Sequence, residues 1–149
     1  MADHVAEQIV AAAKTALTGL ATTGANAFDS RVYPVQHTEL PAILIDQGDE
    51  SELVSSMGGA QRSVEHDLDL VVIAKVEQTV SYRTAANTIR KEVEAALGSN
   101  NGLGGLCKWI HPKGFVIELS GEAEKPVASG TMTFSVRYYT ALNAPDVPL

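Results

Sequence analysis

Apolar and polar positions along this chain follow two rhythms, one helical and one extended, and the change between them lays out the fold. Val5, Ile9, Ala13, Ala16, Leu17 and Leu20 recur at helical spacing and predict a first amphipathic helix. Asp3 stands where an N-cap is wanted, and Gly19 with Thr22-Thr23-Gly24 supplies the stop. A short extended piece over 28–34 follows, then Leu40 to Ile45 reads as a strand, with Pro41 restricted to its start or to an edge. Asp46 to Gly59 is polar and rich in turn residues, which predicts a mobile loop or the ends of a long hairpin.

The strongest extended pattern covers 62–76. Val64, His66, Leu68, Leu70, Val72, Ala74 and Val76 point one way, and Ser63, Glu65, Asp67, Asp69 and Lys75 the other, with Val71 and Ile73 breaking the polar side. A second helix carries Tyr82, Ala86, Ile89, Val93, Ala96 and Leu97 as its stripe, with Thr79 or Ser81 as cap and Gly98 as its stop. Residues 99–105 read as a flexible glycine-rich connection. Strands follow around Phe115–Leu119 and Thr131–Tyr138, and residues 143–149 read as a frayed tail. The order helix, strands, helix, strands predicts an α+β fold: one domain over 1–149, an antiparallel or mixed sheet with both helices on one face.

Composition narrows the classes of function. The chain has 149 residues, a formal charge of −7 and 45% apolar residues, an ordinary globular balance. An acidic surface repels phosphates, which argues against tight nucleic-acid binding and against an anionic membrane. One cysteine, Cys107, excludes an internal disulfide. The N-terminus does not read as a signal peptide, and no run is long and apolar enough to predict a membrane span.

Candidate chemistry is thin. Glu65-His66-Asp67-Leu68-Asp69 has metal-ligand residue types, but strand alternation sends His66 to one face and the aspartates to the other, so His66 reads as a half-buried structural histidine. Cys107 and His111 supply two potential ligands where structural zinc takes four, and His4, His37 and His66 are scattered. Gly102, Gly104 and Gly105 lack the Gly-Lys-Ser/Thr of a phosphate loop. No serine sits in a Gly-x-Ser-x-Gly elbow, and Cys107 beside Trp109 and Ile110 reads as a packed, inert thiol. The expectation is therefore no catalytic residue, no metal and no cofactor. Asp46, Asp49, Glu50 and Glu52 stand out as four acids in seven residues, and Arg31 as a cation that can pair across a subunit boundary.

Taken in order, these segments resemble a known group. An amphipathic helix, Phe28-Asp29-Ser30-Arg31-Val32, Glu39-Leu40-Pro41-Ala42-Ile43-Leu44-Ile45, an acidic stretch, the alternating strand at Glu65–Val72 and a closing Met132-Thr133-Phe134-Ser135-Val136-Arg137-Tyr138-Tyr139 are similar to the tail terminator (minor tail protein U-like) family of long-tailed bacteriophages. The resemblance spans residues 3–141, and the second helix and the glycine-rich connection look longer than the family's. It implies a structural virion protein and no enzyme: a homo-oligomer, expected as a hexameric ring, that caps the tail tube, terminates elongation and provides the head-joining surface. The implied partners are the tail tube protein and a head-completion or connector protein, with DNA passing through without tight binding. The implied place is the head-proximal end of the tail, after assembly in the host cytoplasm.

Size agrees with a ring. A chain of this length has a radius of gyration of about 15 Å and a diameter of roughly 38 Å, and six touching globules leave a hole as wide as one of them. On this reading Asp46, Asp49, Glu50 and Glu52 lie on the lumen or the tube-facing rim, and Arg31, Val71 and Ile73 are candidates for the subunit interface. Rival readings are a head–tail connector of similar fold, a small hydrolase built on loop carboxylates with His37 or His111, and a binding module for a small ligand.

Overall fold

The stripe that begins at Val5 folds as a helix because its apolar side chains can all reach one sheet. In the computed structural model, which describes residues 3–29, 40–54, 62–77, 81–99, 102–119 and 127–149, α1 runs Val5–Leu17 with Val5, Ile9, Ala13 and Leu17 buried. The cap is His4 and not Asp3: Ala6 N–H donates to His4 Nδ1 at 3.1 Å. The helix closes at Thr18, and Gly19 and Gly24, both at positive φ, turn the chain back on itself.

Strands β1 (Ala27–Asp29), β2 (Ala42–Val54) and β3 (Ser63–Glu77) come next, followed by α2 (Tyr82–Ser99), a 3₁₀ turn at Leu103–Gly105, β4 (Trp109–Leu119), β5 (Val127–Ala141) and β6 (Ala144–Pro148). Among the described residues the sheet has six strands in the order β1-β2-β3-β5-β4, with β6 also paired to β5. β1 is parallel to β2, and the other pairings are antiparallel. The sheet is therefore mixed. α1 and α2 pack on the same face, where Ile9, Leu17, Ile89, Val93 and Leu97 join Ile45, Leu68, Leu70, Phe134 and Val136 in one core. Fully burying a side chain of this size contributes about 1.5–3 kcal/mol.

The alternation read over 62–76 holds along all of β3. Its even-numbered residues are buried under the helices and its odd-numbered ones face away. β5 keeps unbroken register against it, from Ser63↔Ala141 to Glu77↔Val127, so its own alternation matches pair by pair. Gly130 lies on the helix face of β5, with the Phe115 ring over it where a side chain would otherwise stand. Pro112 is tolerated in β4 because this is an edge strand with a register shift between Pro112 and Gly114.

Of the two readings of the acidic segment, the long hairpin holds over its described part: residues up to Val54 continue β2 as the arm of the β2–β3 hairpin. Two other expectations change. Gly98 does not stop α2, which runs one residue further to Ser99. The tail expected to fray forms β6. It extends the sheet past the end of β4, and Gln8 Nε2 on α1 donates to the Asp146 carbonyl at 2.8 Å.

Candidate functional site

Two polar constellations sit on opposite faces of the sheet, and β3 builds both. On the open face, alternation lines up Glu65, Asp67 and Asp69. Arg137 lies directly across from Asp67 and donates from Nε and Nη2 to its two oxygens at 2.7 and 2.8 Å. Its Nη1 reaches Glu65 at 2.7 Å, and its guanidinium carbon lies 4.8 Å from the centre of the Trp109 ring. Lys113, carried by the β4 irregularity, reaches across β5 to Asp69 at 3.1 Å. Hydrogen bonding to Asp67 is the main reason that the Arg137 proton is held more tightly than usual. Asp49, Glu50, Ser51 and Ser135 complete the walls of this cleft, whose volume is about 380 Å³. Arg137 and Lys113 thus pair with all three β3 carboxylates, and Asp49 leaves the cleft with an excess of acid.

The second constellation lies on the helix face at the end of the β2 arm. Gly48 and Asp49 together stand opposite Asp69, because the register slips between Gln47 and Glu50. Such a bulge shifts the side-chain alternation by one. Counted regularly from Ile43 and Ile45, the inward positions would be Asp49, Ser51 and Leu53. After the bulge they are Glu50, opposite Leu68, and Glu52, opposite His66. A Cβ on residue 48 would stand 2.9 Å from the Asp69 carbonyl oxygen, which explains the glycine.

Glu50 and Glu52 therefore meet His66. The His66 ring is 2% exposed and stacks on Tyr138 at 4.2 Å with an interplanar angle of 3°. Its Nε2 lies 2.9 Å from Thr140 Oγ1, while Nδ1 is buried, has no hydrogen-bond partner and lies 3.7 Å from Glu50 Oε1. Tyr138 donates its hydroxyl to the same Glu50 oxygen. Burial is the main cause of a lowered His66 pKa, opposed by Glu50 and Glu52 and aided by His4. Burial and the bond to Glu50 together push the Tyr138 hydroxyl up.

The residues singled out from sequence are thus dispersed. Asp46, Asp49 and Glu52 are exposed, whereas Glu50 is half-buried against Tyr138. Val71 and Ile73 lie half-buried on the open face, Val71 between Asp46 and Thr133, Ile73 between Leu44 and Thr131. Arg31 and His37 lie outside the described residues. His111 is exposed and stacks beside Trp109, with 5.7 Å between ring centres. Cys107 is buried, and burial raises its thiol to about 11, in keeping with a packed, unreactive side chain.

Sequence reasoning placed His66 on the buried face but missed its carboxylate partners, because they come from the neighbouring strand. The one trace in the sequence was Gly48 inside a polar segment, since a glycine within a strand often marks a bulge. No protein-family model matches the chain, and no characterised protein matches it in sequence.

Proposed function

We propose that this chain is a structural virion protein of the tail terminator kind. Copies join in a ring, taken as a hexamer, which caps the tail tube, ends its elongation and offers the surface to which the head is joined. In this reading it is not an enzyme, its partners are the tube protein and a head-completion protein, and it resides at the head-proximal end of the tail.

The observation that carries the ring is a pair of unlike sheet borders. β4 forms one border, with Val116 57% and Leu119 49% exposed and the cations Lys108 and Lys113 nearby. The distal half of β2, which has only β3 as a strand partner among the described residues, forms the other border. It presents Leu53 at 66% and Val54 at 43% exposure beside acidic side chains. An exposed strand edge with apolar side chains is a template for another chain. Because the two borders differ, they pair head to tail, which is the geometry that closes a cycle. Val71 and Ile73, on the open face of the interior strand β3, are set back from both borders and offer a neighbouring subunit apolar surface beside them. The exposed carboxylates Asp46 and Asp49, on the open face, turn to the lumen or the rim over the tube, where they give DNA phosphates nothing to hold, whereas Glu52 lies on the helix face.

The test is the mass of the purified chain across a concentration series, followed by electron microscopy of the largest species. Rings are expected, and a double change of Val116→Asp with Leu119→Asp should leave folded monomers. A chain that stays monomeric at every concentration, with tail tubes present, and that is missing from tailed virions, would refute the proposal.

A further inference from the structure

We propose that Glu50, Glu52 and His66 form a site for a divalent cation of the zinc class, which clamps the β2 arm to β3. One donor atom from each residue lies within 4.8 Å of the others. An ion bound at about 2.0–2.2 Å needs them only modestly closer. Two acids on neighbouring inward positions would not by themselves define a site. The imidazole does.

His66 is almost wholly buried, and its Nδ1 faces the two carboxylates without a hydrogen-bond partner. Buried polar atoms in native proteins are nearly always satisfied. The separation from Glu50, 3.7 Å, is too long for a hydrogen bond and leaves room for an ion displaced toward Glu52. Nε2, 2.9 Å from Thr140 Oγ1, is placed to donate there, and a proton fixed on that nitrogen turns the Nδ1 lone pair toward the acids. Ligating histidines are typically held in this way by a partner on the second ring nitrogen. Tyr138 supports both kinds of ligand, stacking on the imidazole and donating to Glu50.

The donor set selects the cation. One imidazole and two carboxylates suit zinc or a similar first-row ion, with the fourth position left to water. Calcium and magnesium want more oxygens than three side chains supply. Glu52 is exposed, so the ion has a route in from solvent. Its contribution is structural: it fixes the arm at the turn of parity that the bulge creates, and through Tyr138 and Thr140 it ties that arm to β5. This holds whether or not the chain forms rings.

The experiment uses the untagged full chain, stripped with chelator and titrated with zinc chloride by calorimetry, alongside melting curves with and without the ion. One ion per chain and a raised midpoint are expected. Cobalt in place of zinc should give the intense visible bands of a four-coordinate site. Glu52→Gln, on an exposed side chain, should leave the metal-free midpoint unchanged and weaken binding by about 100-fold or more, at least the loss that follows removal of a supporting partner. Changing the other potential ligands, as Cys107→Ser and His111→Gln, should leave binding intact. The assignment is overturned by the absence of a zinc-dependent heat and midpoint shift, by binding that Glu52→Gln does not weaken, or by nitrogen NMR showing Nδ1 protonated in a chain that takes up no zinc.

Discussion

Asp67 and Arg137 face each other across β3 and β5, and the guanidinium grips both carboxylate oxygens at once. The pair sits midway along a ladder that runs from β3 over β5 to Trp109 on β4, the register partner of Arg137. Paired, parallel hydrogen bonds of this kind are stronger and more directional than a point-charge contact. Arg137→Lys keeps the charge and loses both the fork and the flat stacking surface. Its thermal midpoint should fall below that of the parent, and Arg137→Met should fall further, leaving Glu65 and Asp67 as uncompensated neighbours. Melting curves at low salt check the order. Equal midpoints for all three would show that the ladder adds nothing to stability.

Gly48→Ala places a methyl group 2.9 Å from the carbonyl oxygen of Asp69, and that oxygen belongs to the backbone and cannot swing away. The expected loss is about 1–3 kcal/mol, typical of overpacking. Urea melts read it as a lower midpoint at unchanged slope.

Ile89 is fully buried between α2 and the sheet. Ile89→Ala should cost about 2–5 kcal/mol, the sum of lost burial and the cavity left behind. Val116→Thr on the exposed border should change the stability of the monomer by no more than about 0.5 kcal/mol. Denaturant titration of the two variants side by side separates core from border.

Burial raises the Cys107 thiol from the ordinary 9.0 to about 11. The folded chain thus binds this proton more tightly than the unfolded one. The associated stability is complete below the ordinary value and is lost as pH rises through the window from 9.0 to about 11. Alkylation by iodoacetamide at pH 8 should accordingly be slow in the native chain and fast in urea. Rapid native labelling would contradict the packed setting.

Much of the architecture was legible because burial and spacing agree. Leu68, Leu70 and Val72 alternate without interruption, and Ile9 and Ile89 sit at helical spacing from their neighbours, so β3, α1 and α2 follow from local pattern. The β2 arm stayed undecided between loop and hairpin. From Asp46 to Val54 its side chains are mostly exposed, and a strand covered on neither face carries no apolar alternation to read. β6 was hidden for a related reason: Pro145 and Pro148 read as breakers, but at the border of a sheet they need donate no ladder bond. The buried constellation was half legible. Alternation sends His66 inward, but Glu50 and Glu52 reach it only by pairing between strands, and cross-strand register cannot be read from one strand.

The pair Gly48–Asp49 also sets a rule for changes of length. Both residues occupy the space opposite Asp69, so one of them is a spare link. Removing one would straighten the arm and keep Glu50 and Glu52 on their present side. Removing both would turn the distal arm inside out, bringing Ser51 and Leu53 beneath the helices and sending the carboxylates to solvent. Deletions here should be tolerated by odd and even count, a constraint that no catalogue of point substitutions would reveal.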